Sequence, residues 1–253
     1  MIPYFELPIL RFWGMQIDAF GALVAVGFIL ALQLATRRAA KMNQDRLPFH
    51  DAALICIVCG FVGAHLFHVF AYEPAILWTK PWQIFFLWAG ISSFGGFLGA
   101  GFALWYYFHV KRLPVLEYGD TVMFGLWPGW ILGRLGCFTA HDHPGRLTKF
   151  FLAVQFPQGA RHDLGFYEAL LVMGITIVIY VLDRGRPPKA RKPGFYFALS
   201  LVMYGLPRFF FDRLRAVDVP NADTRYWGWT PAQYLSLSLV LLGVFLFLRP
   251  KRV

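Results

Sequence analysis

The stretch GRLGCFTAHDHPGR, Gly133–Arg146, directly follows the apolar run EYGDTVMFGLWPGWIL, Glu117–Leu132. An apolar run of this length, taken as residues 116–133, approaches the ~20 residues that a helix needs to cross ~30 Å of hydrocarbon. Charged side chains are expensive inside a bilayer, so their concentration at the end of a span indicates function or specific pairing. The two stretches together predict a membrane helix with a polar site at one end.

The rest of the chain has the composition of a membrane protein. Of its 253 residues, 58% are hydrophobic and 19% are aromatic, whereas 15% are charged. The apolar runs lack the period-2 alternation of barrel strands. We therefore predict an all-α integral membrane protein, a single polytopic domain over residues 1–253, with seven transmembrane helices at about 15–35, 51–71, 83–108, 116–133, 166–182, 195–211 and 231–248.

Membrane topology explains the net charge of +10 better than nucleic-acid binding does. Most lysines and arginines lie in short connections that fall on one side of the predicted helices, at 37–46, 111–112, 184–192 and 249–252. By the positive-inside rule that side is the cytoplasm. We expect the N-terminus outside and the C-terminus inside, with no nucleic acid as partner.

Arg134 and Arg208 are the most informative of the basic residues left on the outer side. Each lies at the membrane end of a predicted helix with few polar neighbours in the sequence. A guanidinium offers a planar fork of donors that suits a phosphate or a carboxylate. One interpretation is an anionic lipid headgroup, a second is snorkelling to the interface, and a third is ion pairing with the outer acids Asp142, Asp163, Glu168, Asp212, Asp218 and Asp223.

Residues 137–165 are too long for a turn and predict a small external, periplasmic head. Within this segment, apolar and polar residues partly alternate in FLAVQF, Phe151–Phe156. Such alternation predicts a short strand pair or an interfacial hairpin.

Three stretches resemble the prolipoprotein diacylglyceryl transferase family. GRLGCFTAHDHPGR is similar to its signature segment, usually GR-G-NF-N-E-x-G. RHDLGFYEALL at 161–171 is similar to the family's RHPSQLYE segment, and MYGLPRFFFDRLR at 203–215 to its YG-x-x-R-x-x-x-E-x-x-R segment. The resemblance extends over nearly the whole chain. Four positions depart from the family's usual residue: Phe20 replaces a tyrosine, His65 an arginine, Phe94 a histidine before a Gly-Gly pair, and Cys137 an asparagine.

The resemblance implies a bacterial inner-membrane enzyme. Its reaction would move the diacylglyceryl group of phosphatidylglycerol to the lipobox cysteine thiol of a preprolipoprotein and release glycerol phosphate. The partners would be phosphatidylglycerol, preprolipoprotein signal peptides and membrane lipids, and we expect no cofactor.

This chemistry needs cations at the departing phosphate and a way to deprotonate the thiol, whose pKa is about 8.5. We assign the first task to Arg134 and Arg208, helped by Tyr204 on the same helical face. The second task has no obvious residue, because the histidine of the third span is Phe94. His141 or His143, which flank Asp142, are the candidate bases.

The remaining candidates would contact substrate or support the site. Cys137 and Gly145 belong to the signature stretch, and His162 with Glu168 is expected to hold the head to the fifth span. Gly95 and Gly96 either form a groove for an acyl chain or pack closely against another helix.

Two other functions stay open. The substituted positions Phe20, Phe94 and Cys137 are also compatible with a non-catalytic or repurposed paralogue that binds anionic lipid or lipoproteins. A transporter or metal-binding protein built on His65 and His68 is the third possibility. We expect no metal site, since the pairs His65/His68 and Cys56/Cys59 lack further ligands nearby in the sequence.

Overall fold

The computed structural model describes residues 1–12, 15–88, 90–185, 191–219 and 222–250. Four basic residues of the predicted cytoplasmic connections, Arg186, Lys189, Lys251 and Arg252, lie outside these ranges. The described chain is mostly helical: α1 Ala19–Lys41, α2 Leu47–Ala71, α3 Ile76–Thr79, α4 Ser93–Val110, α5 Val115–Ala140, α6 Leu164–Arg184, α7 Phe195–Phe211 and α8 Pro231–Leu248.

Close antiparallel helix pairs build the bundle, and glycines permit the closest approach. A Cβ at Gly27 of α1 would lie 2.6 Å from the carbonyl oxygen of Gly129 in α5, and a Cβ at Gly129 would lie 2.4 Å from the carbonyl oxygen of Gly27. Such distances exclude any side chain. The backbones of α1 and α5 therefore touch directly, as small residues allow in membrane helices.

Helices α2 and α4 form a second pair of this kind. A Cβ at Gly95 would lie 2.4 Å from the carbonyl oxygen of Gly63, and one at Gly96 would lie 3.7 Å from the Cβ of Ala64. Gly95 and Gly96 therefore face α2, and α2 occupies the space that a groove for an acyl chain would need. Of the two interpretations of Gly95 and Gly96, close packing against another helix is therefore the one that the structure shows.

The main apolar core lies between α4, α5, α6 and α7. It includes Phe94, Trp127, Val172, Ile175 and Tyr204. The indole Nε1 of Trp127 donates to Ser200 Oγ at 2.7 Å, so the polar edge of this large ring is satisfied.

The third predicted span, 83–108, is wrong at its start. Pro81–Phe85 form a 3₁₀ turn, and α4 begins only at Ser93. The fully buried ring of His65 in α2 holds this non-helical segment: Nδ1 lies 3.0 Å from the carbonyl oxygen of Gly90 and Nε2 lies 3.1 Å from that of Gln83. A carbonyl oxygen only accepts, so the single N–H of a neutral His65 ring donates to one of these two backbone groups, which lie outside any helix.

A small sheet caps the end of the bundle where α5 ends and α6 begins. Its four strands, in the order β1 Ile2–Pro3, β5 Val154–Phe156, β6 Gly159–Asp163 and β4 Pro144–Leu147, pair antiparallel except for the parallel pair β1–β5. The strand pair predicted from FLAVQF is confirmed as β5–β6. Strand β1 and the hairpin of β2 Leu10–Phe12 with β3 Met15–Ile17 were not foreseen. Cys137 to Ala140 complete α5, so the non-helical segment begins at His141 rather than at Cys137.

Four helices, α1, α2, α6 and α8, are long and apolar enough to cross a membrane. In the described chain α4, α5 and α7 are of similar length, with 18, 26 and 17 residues. Large apolar side chains point outward along several of these helices, among them Phe28, Leu54, Phe102 and Leu241. Such surfaces suit lipid rather than water.

Candidate functional site

Arg134 and Arg208 meet at one carboxylate, that of Glu168. Arg134 comes from α5, Arg208 from α7 and Glu168 from α6. Arg134 Nη2 lies 3.0 Å from Glu168 Oε2, and Arg208 Nε lies 3.3 Å from Oε1. Each arginine is only 1% exposed and Glu168 is completely buried. The two guanidinium groups therefore face one place, and the group that lies between them is a carboxylate of the protein.

Further donors and acceptors fix Arg134. Its Nη2 donates to Ser93 Oγ at 3.3 Å and to Tyr204 Oη at 3.5 Å, and its guanidinium lies 4.7 Å from the ring of Trp130. Tyr204 in turn donates to Glu168 Oε2 at 3.0 Å. Tyr204 therefore orders Arg134 and Glu168, whereas its position four residues before Arg208 had suggested Arg208 as its partner.

Arg208 is held from its other side by Asp212, one turn later in the chain. Arg208 Nη1 donates to Asp212 Oδ1 at 2.5 Å, and Arg215 Nε donates to the same oxygen at 2.9 Å. Thr230, the N-cap of α8, donates its hydroxyl to Asp212 Oδ2. Arg215 also pairs with Asp223 at 2.6 Å.

The cluster is close to electrically neutral. Three guanidinium groups, Arg134, Arg208 and Arg215, are matched by the carboxylates of Glu168, Asp212 and Asp223. These contacts are ion pairs, which was one of the three interpretations made from the sequence. Snorkelling to the interface does not fit Arg134 and Arg208, each of which is 1% exposed. The pairing around Glu168 is incomplete, since Arg134 Nε, Arg208 Nε and Glu168 Oε1 are buried without a hydrogen-bond partner among the residues that the structure describes.

His141 does not face this cluster, so the structure gives no support to it as the base. It is the C-cap of α5 with φ 49°, and its Nδ1 lies 2.8 Å from Asp163 Oδ2. Its ring stacks on Tyr4 at 4.8 Å and packs edge-on against Phe138 at 5.5 Å. Asp163 also accepts from Phe166 N at 3.0 Å as the N-cap of α6. These contacts make His141 a structural link between the head and the helices.

The left-handed turn at His141 folds the next two residues back beside the last turn of α5. Ligand atoms of Cys137, Asp142 and His143 lie within 4.8 Å of one another. Cys137 contacts the arginine cluster directly, because Arg134 Nη1 lies 3.6 Å from its Sγ. Of the two histidines that flank Asp142, His143 is therefore the one beside the site.

The environment shifts the pKa of Asp142 and of His143, two titratable groups that follow α5. Partial burial, opposed by nearby Arg134, raises the pKa of the Asp142 carboxyl to about 6. Burial, followed by the positive charges of Arg215 and Arg134, lowers the pKa of His143 well below its usual range. His143 is therefore neutral at physiological pH.

His162 and Glu168 were expected to hold the head to the fifth span together, but they lie in different contacts. His162 Nδ1 lies 2.9 Å from the hydroxyl of Tyr167, and burial lowers the pKa of the imidazole. Glu168 points instead into the arginine cluster, because Tyr167 and Glu168 are adjacent on α6 and project in different directions. His162 contributes to the attachment of the head through Tyr167.

Gly145 is needed for packing beside the site. It bridges to Arg215 across the strand edge, and a Cβ there would lie 2.7 Å from both His162 Cβ and the carbonyl oxygen of Leu214. Arg161 Nη1 also donates to the carbonyl oxygen of Gly145 at 3.1 Å. A side chain at position 145 would displace Arg215 and thereby the partner of Asp212.

A cavity of about 390 Å³ lies at the same end of the bundle. It opens between the N-terminal segment, the start of α1 and the end of α5, and its lining includes Tyr4, Asp18, Phe20, His141 and Asp142. The cavity therefore approaches the arginine cluster from the side of Asp142.

Comparison with known proteins identifies the family. The family model of prolipoprotein diacylglyceryl transferase matches residues 8–249. The chain belongs to the prolipoprotein diacylglyceryl transferase family.

Relatives named phosphatidylglycerol–prolipoprotein diacylglyceryl transferase align over nearly their full length. One from Zymomonas mobilis is 32% identical, with 98% of this chain and 90% of the relative covered. One from Ruegeria pomeroyi is 32% identical, with 93% and 89% covered. One from Bordetella parapertussis is 31% identical, with 97% and 95% covered.

Two of the positions that the sequence analysis named as departures from the family pattern lie inside the candidate site. Phe94 has its ring 5.4 Å from the Arg208 guanidinium and 6.3 Å from the Tyr204 ring. Cys137 lies beside Arg134. An apolar ring and a thiol therefore lie next to the buried ions.

Ser93, Asp212 and Thr230 complete the site and were not among the predicted site residues. Asp212 could have been found from its spacing of four residues after Arg208, since residues at this spacing share a helical face. No sequence pattern indicated Ser93 or Thr230, because each contacts a residue that is distant in the sequence. Ser93 contacts Arg134, and Thr230 contacts Asp212.

Proposed function

We propose that this chain transfers the diacylglyceryl group of phosphatidylglycerol to the lipobox cysteine of preprolipoproteins. The observation that carries the proposal is the buried pair Arg134 and Arg208 in a chain of this family, held from three helices around Glu168. The relatives' printed name states both phosphatidylglycerol and prolipoprotein.

Arg134 and Arg208 act on the departing phosphate in this proposal. The thiolate of the substrate attacks the glyceryl carbon, the carbon–oxygen bond to phosphate breaks, and glycerol phosphate leaves with the electron pair. Preorganised cations stabilise that developing charge, and loss of one such donor costs on the order of 3 kcal/mol, a hundredfold or more in rate. The donors without hydrogen-bond partners, Arg134 Nε and Arg208 Nε, are available for the phosphate once Glu168 shifts.

The cavity beside Asp142 is the proposed entrance for substrate. It lies next to Phe20 and to the end of α5, so a signal peptide or a lipid headgroup could reach Cys137 and Arg134 through it. Binding of phosphatidylglycerol, of a preprolipoprotein signal peptide and of surrounding membrane lipids is part of the same proposal.

The proposed setting is the bacterial inner membrane, crossed seven times. The seven long helices α1, α2, α4, α5, α6, α7 and α8 of the described chain support this count. The basic connections at 37–46 and 111–112 lie at the bundle end opposite the sheet, which supports a cytoplasmic C-terminus, an outer N-terminus and a periplasmic head at 141–163.

Purified protein in detergent, mixed with phosphatidylglycerol and a lipobox peptide, tests the proposal. We expect mass spectrometry to find the peptide thioether, with loss of most product in Arg134→Ala. Arg225→Ala is the matched control, because Arg225 contacts only the carbonyl oxygen of Gly228 among its described hydrogen bonds, at 3.5 Å. Absence of thioether from the folded wild-type protein would contradict the proposal.

A paralogue that binds anionic lipid or lipoproteins without transfer is the second candidate. The neutral ion cluster and the apolar ring of Phe94 favour it, because neither adds a proton acceptor at the arginines. Saturable binding of phosphatidylglycerol without any thioether product would support this candidate, whereas product formation would remove it.

A further inference from the structure

The structure brings three metal-ligand side chains together beside the arginine cluster. Cys137 is buried on the last turn of α5, and the left-handed residue His141 returns the chain so that Asp142 and His143 lie against that turn. Non-glycine residues are uncommon in this conformation and need stabilising contacts. The contacts of His141 with Asp163 and Tyr4 stabilise it and thereby fix the position of the three groups.

Thiolate, imidazole and carboxylate are the three ligand types that zinc takes in proteins, and catalytic sites hold it with three of them. One ligand atom from each residue lies within 4.8 Å of the others. Tetrahedral ligands at ~2.0–2.3 Å from zinc are roughly 3.5 Å apart, so closure needs movements of about 1.3 Å or less.

The surroundings suit such ligands in two respects. His143 Nδ1 lies 2.9 Å from the carbonyl oxygen of Asp142, which can only accept, so Nδ1 carries the proton and Nε2 keeps its lone pair. Arg134 donates toward Cys137 Sγ at 3.6 Å, which stabilises a thiolate, and its own charge is matched by Glu168 at 3.0 Å.

We propose that Cys137, Asp142 and His143 bind a zinc ion, and that the open fourth position takes the thiol of the substrate cysteine. The binding of zinc is inferred from this cluster alone, whereas the coordination of the substrate thiol rests on the proposed transferase function. The proposal also differs from our expectation, made from the sequence, that the protein has no metal site. That expectation considered only the pairs His65/His68 and Cys56/Cys59.

A zinc ion at this position would deprotonate the substrate thiol, whereas the phenyl ring of Phe94 offers no proton acceptor. A thiol that coordinates zinc is deprotonated, and its proton passes to solvent. The bound thiolate then forms the carbon–sulfur bond while the carbon–oxygen bond to phosphate breaks and glycerol phosphate leaves as the anion. No electron is gained or lost overall, and the zinc ion is unchanged.

Cobalt substitution of the full-length, chelator-washed protein in detergent tests the metal site without any activity measurement. We expect one equivalent of Co²⁺ to produce a sulfur-to-metal charge-transfer absorption that one equivalent of Zn²⁺ removes. Cys137→Ser should lose the absorption, whereas Cys59→Ser, a cysteine within α2, should keep it. His143→Gln is a second variant if Cys137→Ser unfolds. No charge-transfer band in the wild-type protein, or an equal band in folded Cys137→Ser, would overturn the proposal.

A lipobox peptide then tests the fourth position. We expect a peptide with cysteine to shift the cobalt spectrum and the same peptide with serine to leave it unchanged; equal effects of both would contradict the coordination of substrate. A metal site that forms without any thioether product would contradict the proposed transferase function and leave the metal site intact. Thioether formation at full rate in metal-free protein would contradict the role of zinc and leave the transferase function intact.

Discussion

The guanidinium of Arg134 and the carboxylate of Glu168 lie 3.0 Å apart, both almost completely buried. The pair connects α5 to α6 at the end of the bundle that carries the sheet. Each ion has lost most of its hydration, so each depends on the other and on the neighbours Arg208 and Tyr204.

Glu168→Gln should therefore strongly destabilise the protein. The variant keeps the shape but leaves Arg134 and Arg208 facing each other without a shared anion. Removing one partner of a buried pair typically costs about 3–5 kcal/mol. We expect a clear fall of the thermal unfolding midpoint in detergent, with Glu117→Gln, an exposed acid of α5, close to wild type. Equal midpoints for Glu168→Gln and wild type would show that the pair does not hold the helices.

The two histidines around Asp142 should differ in their effects. His143→Gln removes the group beside Cys137 and should lower transferase activity at least tenfold with little change in stability. His141→Gln should instead lower the unfolding midpoint, because the bond to Asp163 and the stacking on Tyr4 weaken. Activity per folded molecule and unfolding curves of both variants separate these outcomes. The reverse pattern would make His141 the functional residue.

Replacement of Phe94 offers a test of how the thiol loses its proton. In Phe94→His the imidazole would lie near Tyr204 and Arg208, where it could accept a proton directly. We expect the double variant Phe94→His/Cys137→Asn to transfer without metal, and Cys137→Asn alone to be nearly inactive. Chelator sensitivity of the rates provides the measurement. Full activity of Cys137→Asn alone would argue against any need for the thiol.

The link between Arg161 and Asp218 should make the head sensitive to acid. Two hydrogen bonds from Arg161, at 2.9 and 2.6 Å, hold the pKa of Asp218 below its ordinary value. A depressed pKa gives stability that is present above the unfolded value of about 3.9 and is lost as the pH falls through the folded value. Below about pH 4 the thermal unfolding midpoint of Asp218→Asn should therefore decline less than that of the wild-type protein. Identical pH profiles for both proteins would contradict this contribution.

The contact of α1 with α5 should tolerate no added methyl group. A Cβ at Gly129 would lie 2.4 Å from the carbonyl oxygen of Gly27, so Gly129→Ala should cost about 1–3 kcal/mol through overpacking. A Cβ at Gly101 in α4 would meet no heavy atom within 4 Å, so Gly101→Ala should leave stability unchanged or slightly higher. Thermal unfolding of both variants checks the difference, and equal effects would contradict the packing described.

The sequence predicted the long helices and singled out Arg134 and Arg208, because both inferences depend on local patterns. Apolar runs of sufficient length specify membrane helices, and a cation at the end of such a run needs a partner. The start of α4 was predicted wrongly, because the residues of the 3₁₀ turn at 81–85 are mostly apolar, as those of a membrane helix are. That segment contacts His65 of α2, whose ring nitrogens lie 3.1 Å from the carbonyl oxygen of Gln83 and 3.0 Å from that of Gly90, and the local sequence does not show such a tertiary contact.

The partner of the arginines could not be assigned from spacing. Glu168 lies 34 residues from Arg134 and 40 from Arg208 in the chain, so nothing local distinguishes it from Asp142 or Asp163 as the shared acid. The left-handed backbone at His141 could not be assigned from the sequence either, because histidine and aspartate are both enriched in that conformation, so Asp142 and His143 were equally eligible. That single turn decides that His143, and not His141, lies beside Cys137.

The central claim, that the buried arginines act on the departing phosphate, is tested most directly by the rate of glycerol phosphate release from phosphatidylglycerol in the presence of a lipobox peptide. Arg208→Lys keeps a positive charge near Asp212 but loses the planar fork. We expect folded Arg208→Lys to release glycerol phosphate at least a hundredfold more slowly than wild type, with Arg225→Lys unchanged. Release at the wild-type rate by folded Arg208→Lys and Arg134→Lys would contradict the account.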